Sequence, residues 1–493
     1  MKLTVNSIAI IGFLLAGLLQ GCSQVTTYPG PAEEKASPDF TVKVDGKEVF
    51  VYTARVSAYP ENRVWPGYQR PLKQTELSSF CYFDADKTVT VEIESKKKFE
   101  GLTVRPLSRN IRPAIDGNKI TFTLTTPCQL VIEAPDRHHA LHLFANAKEE
   151  NPVRESDNNV IYFGPGIHHP GILEVKDNQT VYVAGGAVVH TLIKVQNAKN
   201  VTIKGRGILD ASSFARGAGN NILIENCENI RIEGVILRDP PAWSLTMYDS
   251  QNITVDDIKL IGLWRYNADG IDIVNSNHVE VKNSFVRAFD DCIVLKGMKR
   301  QNTVPKNVHD VYVDNCVIWN DWGRAFEIGA ETVADSIYRC TFRNSDIIHF
   351  AHIALGIQNG DRARIFDINY ENIRIEDPIT DQFFLGDPEN PENVDPFLVE
   401  TSGLGVLGHL IWVYLNKNPY SKDNIRGNVF NISYRDIKYT SAYMPQITFI
   451  GYDSDHAVSG ITFDNVSING KKIRNVTDGN MKFNDYAKNI NFK

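Results

Sequence analysis

The sequence predicts an all-β protein: a right-handed parallel β-helix preceded by a small β-sandwich. Two observations predict it. A short strand phrase recurs through the second two thirds of the chain, its early copies opening at Asn200, Asn229, Asn252 and His278. Before it, from Phe40 to about Ala145, short alternating strands are separated by polar turns such as Asp45-Gly46 and Asp116-Gly117-Asn118. Long helical patterns are few.

Composition sets the outer bounds. The chain has 493 residues, 42% apolar and 23% charged, which is globular and excludes wholesale disorder. Such a length can bury a core without metal or disulfide staples. Against 52 basic residues stand 59 acidic ones, net −7, so the chain lacks the basic field that nucleic acid requires.

The N-terminus reads as an address. Residues 1–21 hold one basic residue, Lys2, and then an apolar run of signal-peptide length, too short for a membrane span. The run ends in Leu19-Gln20-Gly21-Cys22, which resembles a bacterial lipobox with Cys22 as the lipidated first residue of the mature chain. The expected location is the cell envelope, on the outer membrane. An ordinary secretory signal with a chance cysteine is the alternative. Residues 22–39, polar and proline-containing, read as a flexible tether. Loss of residues 1–21 removes one positive charge, leaving −8.

Residues 40–148 read as the sandwich: several short strands with frequent turns. Cys81 and Cys128 lie within it and are candidates to pair in an oxidising compartment. A charged, apolar-poor stretch from Glu149 to Asp157 reads as a linker.

Residues 158–475 carry the repeat. Asn-apolar-x-apolar, a turn and a second short strand recur nine times, from Asn200 to Gly460. Units of this length carry about three short strands each, too few for a propeller blade, so a solenoid follows. Cys292, Cys316 and Cys340 are evenly spaced, which predicts one coil per cysteine and an internal stack of small apolar side chains. No CxxC occurs, and neither a metal nor a cofactor is expected. The repeat is interrupted over about 377–424, a proline-rich stretch followed by an apolar segment. It reads either as a lateral insertion packed on the solenoid or as a wall over a substrate groove. Residues 476–493 read as a tail.

The chemistry points to three aspartates. Asp290 and Asp291 follow Asp269 at about the length of one coil. Adjacent strands lie roughly 4.8 Å apart, so Asp269 and Asp290 are expected at equivalent points of neighbouring coils. Asp290 and Asp291 need a bend at a strand start to face one groove. Like charges this close raise at least one pKa, the condition for a general acid. Single aspartates such as Asp310, Asp314, Asp335, Asp367 and Asp464 are read as turn residues. Around the three aspartates, Trp264 and Tyr266 are candidates to stack on a sugar ring. Asn267 and Lys296 are placed to tune the carboxylates. Arg324, Glu327 and Glu331 lie one coil on and are candidate hydroxyl or carboxylate ligands. His349 and Gln358 are weaker candidates.

These residues carry a resemblance. Asn267-Ala268-Asp269-Gly270 followed by Asp290-Asp291-Cys292, with Asp239-Pro240-Pro241-Ala242-Trp243 upstream, resembles glycoside hydrolase family 28, the polygalacturonase-like enzymes of the pectin-lyase-like fold. The resemblance covers about residues 160–375. It implies an inverting hydrolase of α-glycosidic bonds in a polysaccharide or oligosaccharide, Asp290 acting as acid and Asp269 with Asp291 activating water. Two motifs depart from the family: its Gly-His-Gly is here Gly323-Arg324-Ala325, and its carboxylate-binding Arg-Ile-Lys is at best Arg364-Ile365-Phe366, with Arg364 the remaining substrate-binding candidate. A sandwich ahead of a β-helix also resembles family 49, the dextranase-like enzymes of neutral glucans. Two further classes compete. A polysaccharide lyase would hold calcium on the carboxylates and use Arg324 or Lys296 as base; a surface glycan-binding protein would do no chemistry. The expected partners are a glycan and, through the lipid, a membrane; the chain is expected to be a monomer.

Overall fold

The computed structural model describes residues 25–57, 72, 75–134, 137–300, 304–378 and 408–493. The signal segment 1–21, Cys22 and the 379–407 part of the expected interruption lie outside the described residues.

The second two thirds of the chain form a right-handed parallel β-helix. One wall is a sheet of 12 parallel strands running from Val160–Phe163 to Ala487–Phe492. The remaining coil strands lie in two rows of a second sheet of 21 strands. One row includes Lys259–Leu263, Phe285–Ala288 and Val317–Asn320. The other includes Ile271–Val274, Ile293–Gly297, Arg324–Thr332 and Ile353–Asn359.

The repeated phrase has a physical cause. Asn200, Asn229 and Asn252 each have φ between 56° and 58°, as the first residues of the phrase turn the chain into the 12-stranded wall. Asparagine tolerates this left-handed conformation better than most residues, and its amide can bond to the equivalent residue of the next coil. Asn229 Nδ2 donates to Asn200 Oδ1 at 3.1 Å and Asn252 Nδ2 to Asn229 Oδ1 at 3.3 Å. His278, Asp310, Arg339, Asp367 and Asn431 take the same corner with positive φ. The apolar residues that follow, Val201, Ile230, Ile253, Val279 and Val311, stack inward in register and are buried.

The cysteines do not mark the coil. Cys340 pairs with Val311 and Ile368 in the 12-stranded wall, while Cys292 and Cys316 precede strands of the other sheet. One coil of that wall runs from Val311 to Cys340, longer than the step from Cys316 to Cys340, so the even spacing is fortuitous. All three are buried, as expected of small apolar residues. Cys81 and Cys128 are free. Cys81 pairs with Leu143, which pairs with Leu130, so Cys128 lies two strands across and two residues along, beyond disulfide reach.

The sandwich consists of a six-stranded and a five-stranded sheet. Its outer boundary differs from expectation. Val25–Thr27, placed in the tether, pairs antiparallel with residues 83–85, and the Glu34 carboxylate bonds Arg238 of the solenoid at 2.5 Å. The expected tail, 476–493, is likewise a coil: Ala487–Phe492 closes the 12-stranded wall. Within the expected interruption, His409–Leu415 is an ordinary coil strand between Ile353–Asn359 and Gln446–Ile450.

The sandwich lies flat on one row of the solenoid. Tyr52, Phe80 and Phe144 pack on Ile236, Phe285 and Trp319, all buried. Burying each such side chain contributes roughly 1.5–3 kcal/mol. Charged groups at this joint are matched across it: Arg206 to Asp84 at 3.1 Å, Arg105 to Glu376 at 2.5 Å and His349 to Glu133 at 2.6 Å.

Candidate active site

Asp269 stands two residues before the strand Ile271–Val274, and Asp291 two residues before Ile293–Gly297. Ile271 pairs directly with Ile293 on the next coil. Asp291, not Asp290, is therefore stacked on Asp269, which corrects the expected equivalence. Asp290 precedes it in the expected bend, with its N–H donating to Ala268 O at 3.2 Å.

Two glycines make this approach possible. A Cβ on Gly270 would meet Cys292 O at 2.4 Å, and one on Gly323 would meet the Asp290 carbonyl carbon and Oδ1 at 2.6 Å. The aspartates pack against backbone that carries no side chain.

The three carboxyls open on a cavity of about 400 Å³. Of the expected residues, Tyr266, Asn267, Lys296, Arg324 and Glu331 also line it. Asp269 is held by two donors: Lys296 Nζ at 3.0 Å and Asn267 Nδ2 at 3.1 Å. Lys296 Nζ donates also to Asp272 Oδ1 at 2.9 Å and sits 3.9 Å from the centre of the Trp243 ring. Burial works against the charge of Lys296, but Asp269 and Asp272 outweigh it and raise its pKa.

Asp290 differs. Its nearest cation is Arg324, 4.0 Å away, and among the described residues no donor lies within hydrogen-bond distance of its carboxyl. Burial, with the charge of Asp291 next to it, pushes Asp290 up to about 7, Arg324 and Lys296 offsetting part of the effect. Arg324 Nη1 is nearer to Asp291, at 3.5 Å, and its Nη2 donates to Gln358 at 3.4 Å. Asp290 is thus suited to hold a proton near neutrality; burial pushes the Asp269 carboxyl up as well, against the pull of Lys296.

Four candidates lie elsewhere. Trp264 is buried with its Nε1 donating to Asp239 at 2.9 Å, wedged between Arg265 and Arg55. Its strand row faces the sandwich, so it stacks on no sugar. Glu327 is 1% exposed and its carboxyl lies over Gly356, where a Cβ would come 1.7 Å from Oε2. It is buried one coil beyond the aspartates and does not line the cavity. Arg364 is exposed on the 12-stranded wall, over the rings of Phe366 and Phe430. It belongs to a different wall and cannot serve the cavity. His349 is a buried joint residue.

Five lining residues had no role assigned from sequence: Arg216, Trp243, Trp322, Ala330 and Tyr420. Trp243 belongs to the quoted Asp-Pro-Pro-Ala-Trp stretch, one coil before Asp269, and its position in that stretch was the available signal. Trp322 adjoins Gly323-Arg324. Tyr420 comes from a segment with no local signal, fastened by Asp361 Oδ1, which accepts from Lys422 N at 2.6 Å and Asp423 N at 3.0 Å.

Residues 186–380 match the model of glycosyl hydrolases family 28. The match takes in all three aspartates, Lys296 and Arg324. The chain is 20% identical over 304 residues to a probable endopolygalacturonase D from Aspergillus flavus, covering 57% of this chain and 53% of that one. It therefore spans about half the length of that relative. It is 25% identical over 338 residues to exopolygalacturonase rpg15 from Rhizopus delemar, 64% and 74% of the two chains. Among solved structures, Dex49A from Penicillium minioluteum superposes with a TM-score of 0.65 at 14% identity, over 95% of this chain and 96% of that one. That likeness takes in the sandwich as well as the solenoid. A hyperthermoactive exopolygalacturonase from Thermotoga maritima gives 0.51 at 14% identity, over 67% and 84%. Both structural likenesses concern the fold.

Proposed function

We propose that the protein is an inverting glycoside hydrolase of the polygalacturonase-like type, acting on α-glycosidic bonds of a polysaccharide or oligosaccharide. The observation that carries this reading is the division of labour among three carboxyls on one cavity. Asp290, raised to about 7 by burial and by Asp291, protonates the leaving glycosidic oxygen. Asp269, fixed by Lys296 and Asn267, and Asp291, beside Arg324, take the proton of the attacking water. Trp243 and Tyr266 offer ring faces to the sugar. The family 28 match and the polygalacturonase relatives support the reaction class. From the Leu19-Gln20-Gly21-Cys22 ending of the N-terminal segment alone, we further propose that Cys22 is lipidated and anchors the protein in the cell envelope; a Cys22→Ser variant should leave the membrane fraction.

General acid–base catalysis supplies roughly 10²–10⁴-fold per group. Asp269→Asn, Asp290→Asn and Asp291→Asn should each lower kcat by about that factor with the fold intact by circular dichroism. Proton NMR of the first product should show an inverted anomer. A retained anomer, an unsaturated product or near-normal turnover by Asp290→Asn refutes the assignment.

A further inference from the structure

Tyr420 reaches the cavity from residues 416–425, the loop that follows the strand His409–Leu415. No side chain of that loop is buried, so apolar packing does not fix its course. Polar bonds do, and they converge on the turn Gly360-Asp361. The fully buried Asp361 carboxylate accepts from Lys422 N at 2.6 Å and Asp423 N at 3.0 Å on Oδ1, and from Thr332 N at 3.3 Å on Oδ2. Ser421 Oγ donates to Gly360 O at 2.6 Å and accepts from Asn418 N at 3.0 Å. Gly360 permits this contact, because a Cβ there would lie 2.8 Å from Ser421 Oγ and closer still to Asn418 Nδ2.

The same turn is tied to the strand that carries Arg324. Thr332 ends the strand Arg324–Thr332, and its Oγ1 accepts from the Gly360 and Asp361 N–H groups, both at 3.0 Å. At the start of that strand Arg324 faces Asp291 and Asp290. Tyr420 returns to these groups: burial pushes its phenol up to about 12, against the pull of Arg324, so the ring meets substrate as a neutral face. It stands on the Arg324 side of the aspartates. Trp243, two residues before the Leu245 that pairs with Ile271, stands one coil before Asp269 on the other side.

We infer that Asp361 is a positioning residue for the reaction: through the 416–425 loop it fixes Tyr420 as the wall on which the sugar at the Arg324 side of the scissile bond rests. This rests on the hydrolase reading above and adds to it a residue that touches neither substrate nor the three aspartates. The loop needs the two acceptor positions of Oδ1, which asparagine also offers and alanine does not.

The test reads the loop and the kinetics separately. Native-state trypsin cleavage after Lys417 and Lys422 is followed by mass spectrometry, and reducing-end release is measured on polygalacturonate, dextran and pullulan. Asp361→Ala should be cut in the loop at least about tenfold faster than the wild type, and Asp361→Asn should not. On the polymer that the wild type cleaves, Asp361→Ala and Tyr420→Ala should each raise KM about three- to tenfold with kcat within about twofold. The double variant should match Tyr420→Ala alone, because both changes remove one wall. Asp361→Asn should stay near the wild type. Gly360→Ala keeps Asp361 but crowds the loop; it should raise KM likewise, and it carries the test if Asp361→Ala does not fold. Unchanged loop cleavage or KM in Asp361→Ala, effects that add in the double variant, or an Asp361→Asn that behaves as Asp361→Ala overturns the inference and leaves the hydrolase reading standing. Failure of the wild type to cleave any of the polymers removes the hydrolase reading, and the inference with it.

Discussion

Replacing Arg324 by methionine should move the pH–rate profile to higher pH. Arg324 is the cation nearest to Asp290, at 4.0 Å, and lies 3.5 Å from Asp291. At an effective dielectric of about 20, unit charges 4 Å apart interact by roughly 4 kcal/mol, about 3 pKa units. The guanidinium divides its attraction between two carboxylates and Gln358, so we expect one to two units at Asp290. With its carboxyl at about 7, some half of the wild-type enzyme carries the acidic proton at pH 7. An ordinary aspartate would carry it in about one molecule in 10³. The alkaline limb of kcat should therefore fall near pH 7 in the wild type and near pH 8 to 9 in Arg324→Met. The assay is kcat from reducing-end release across pH 4 to 10, which separates the limb positions from any loss of binding. An alkaline limb that stays in place, or moves down, would refute Asp290 as the acid under the influence of Arg324.

Other outcomes follow from the geometry. Gly323→Ala puts a methyl 2.6 Å from the Asp290 backbone; the displaced carboxyl should lower kcat by about 10²-fold, with an unchanged circular dichroism spectrum. Trp243→Ala removes a ring face and the cover of Lys296, and should raise KM roughly three- to tenfold in steady-state kinetics. Glu133, although buried, is held down to about 2 by His349 and Arg105, so the stability it contributes is present above its unfolded pKa and lost as pH falls from about 4.5 to about 2. Thermal midpoints in that window should drop less steeply in Glu133→Gln than in the wild type.

The repeat was legible because its first residue has a conformational duty. The left-handed corner takes Asn, Asp, His or Gly at every step except Arg339, and the inward positions that follow are apolar. Asp269, Asp290 and Asp291 were legible because a single coil separates them. What escaped lies on longer paths. Arg364 is near the site in sequence register yet belongs to a wall facing another way, and a motif of three residues carries no information about walls. Tyr420 reaches the cavity from a segment held by Asp361, a contact across two coil strands that has no periodicity. The equal spacing of Cys292, Cys316 and Cys340 misled because coil length varies. The coil from Ile271 to Ile293, between the catalytic strands, is shorter than the one from Val311 to Cys340. Val25–Thr27 and Ala487–Phe492 are polar enough to read as tails, and only their pairing partners make them strands.

The joint between sandwich and solenoid has a consequence for synthesis. The sandwich emerges from the ribosome first, carrying Tyr52, Phe80 and Phe144 on the face that later meets Phe285 and Trp319. At about 5–20 residues per second, the stretch from Phe144 to Trp319 leaves that aromatic face without its full cover on the order of ten to thirty seconds. During this interval Asp84 and Glu133 also lack Arg206 and His349. Neither unit is therefore a portable cassette: grafting the solenoid onto another leader would bare the row that contains Ile236, Phe285 and Trp319.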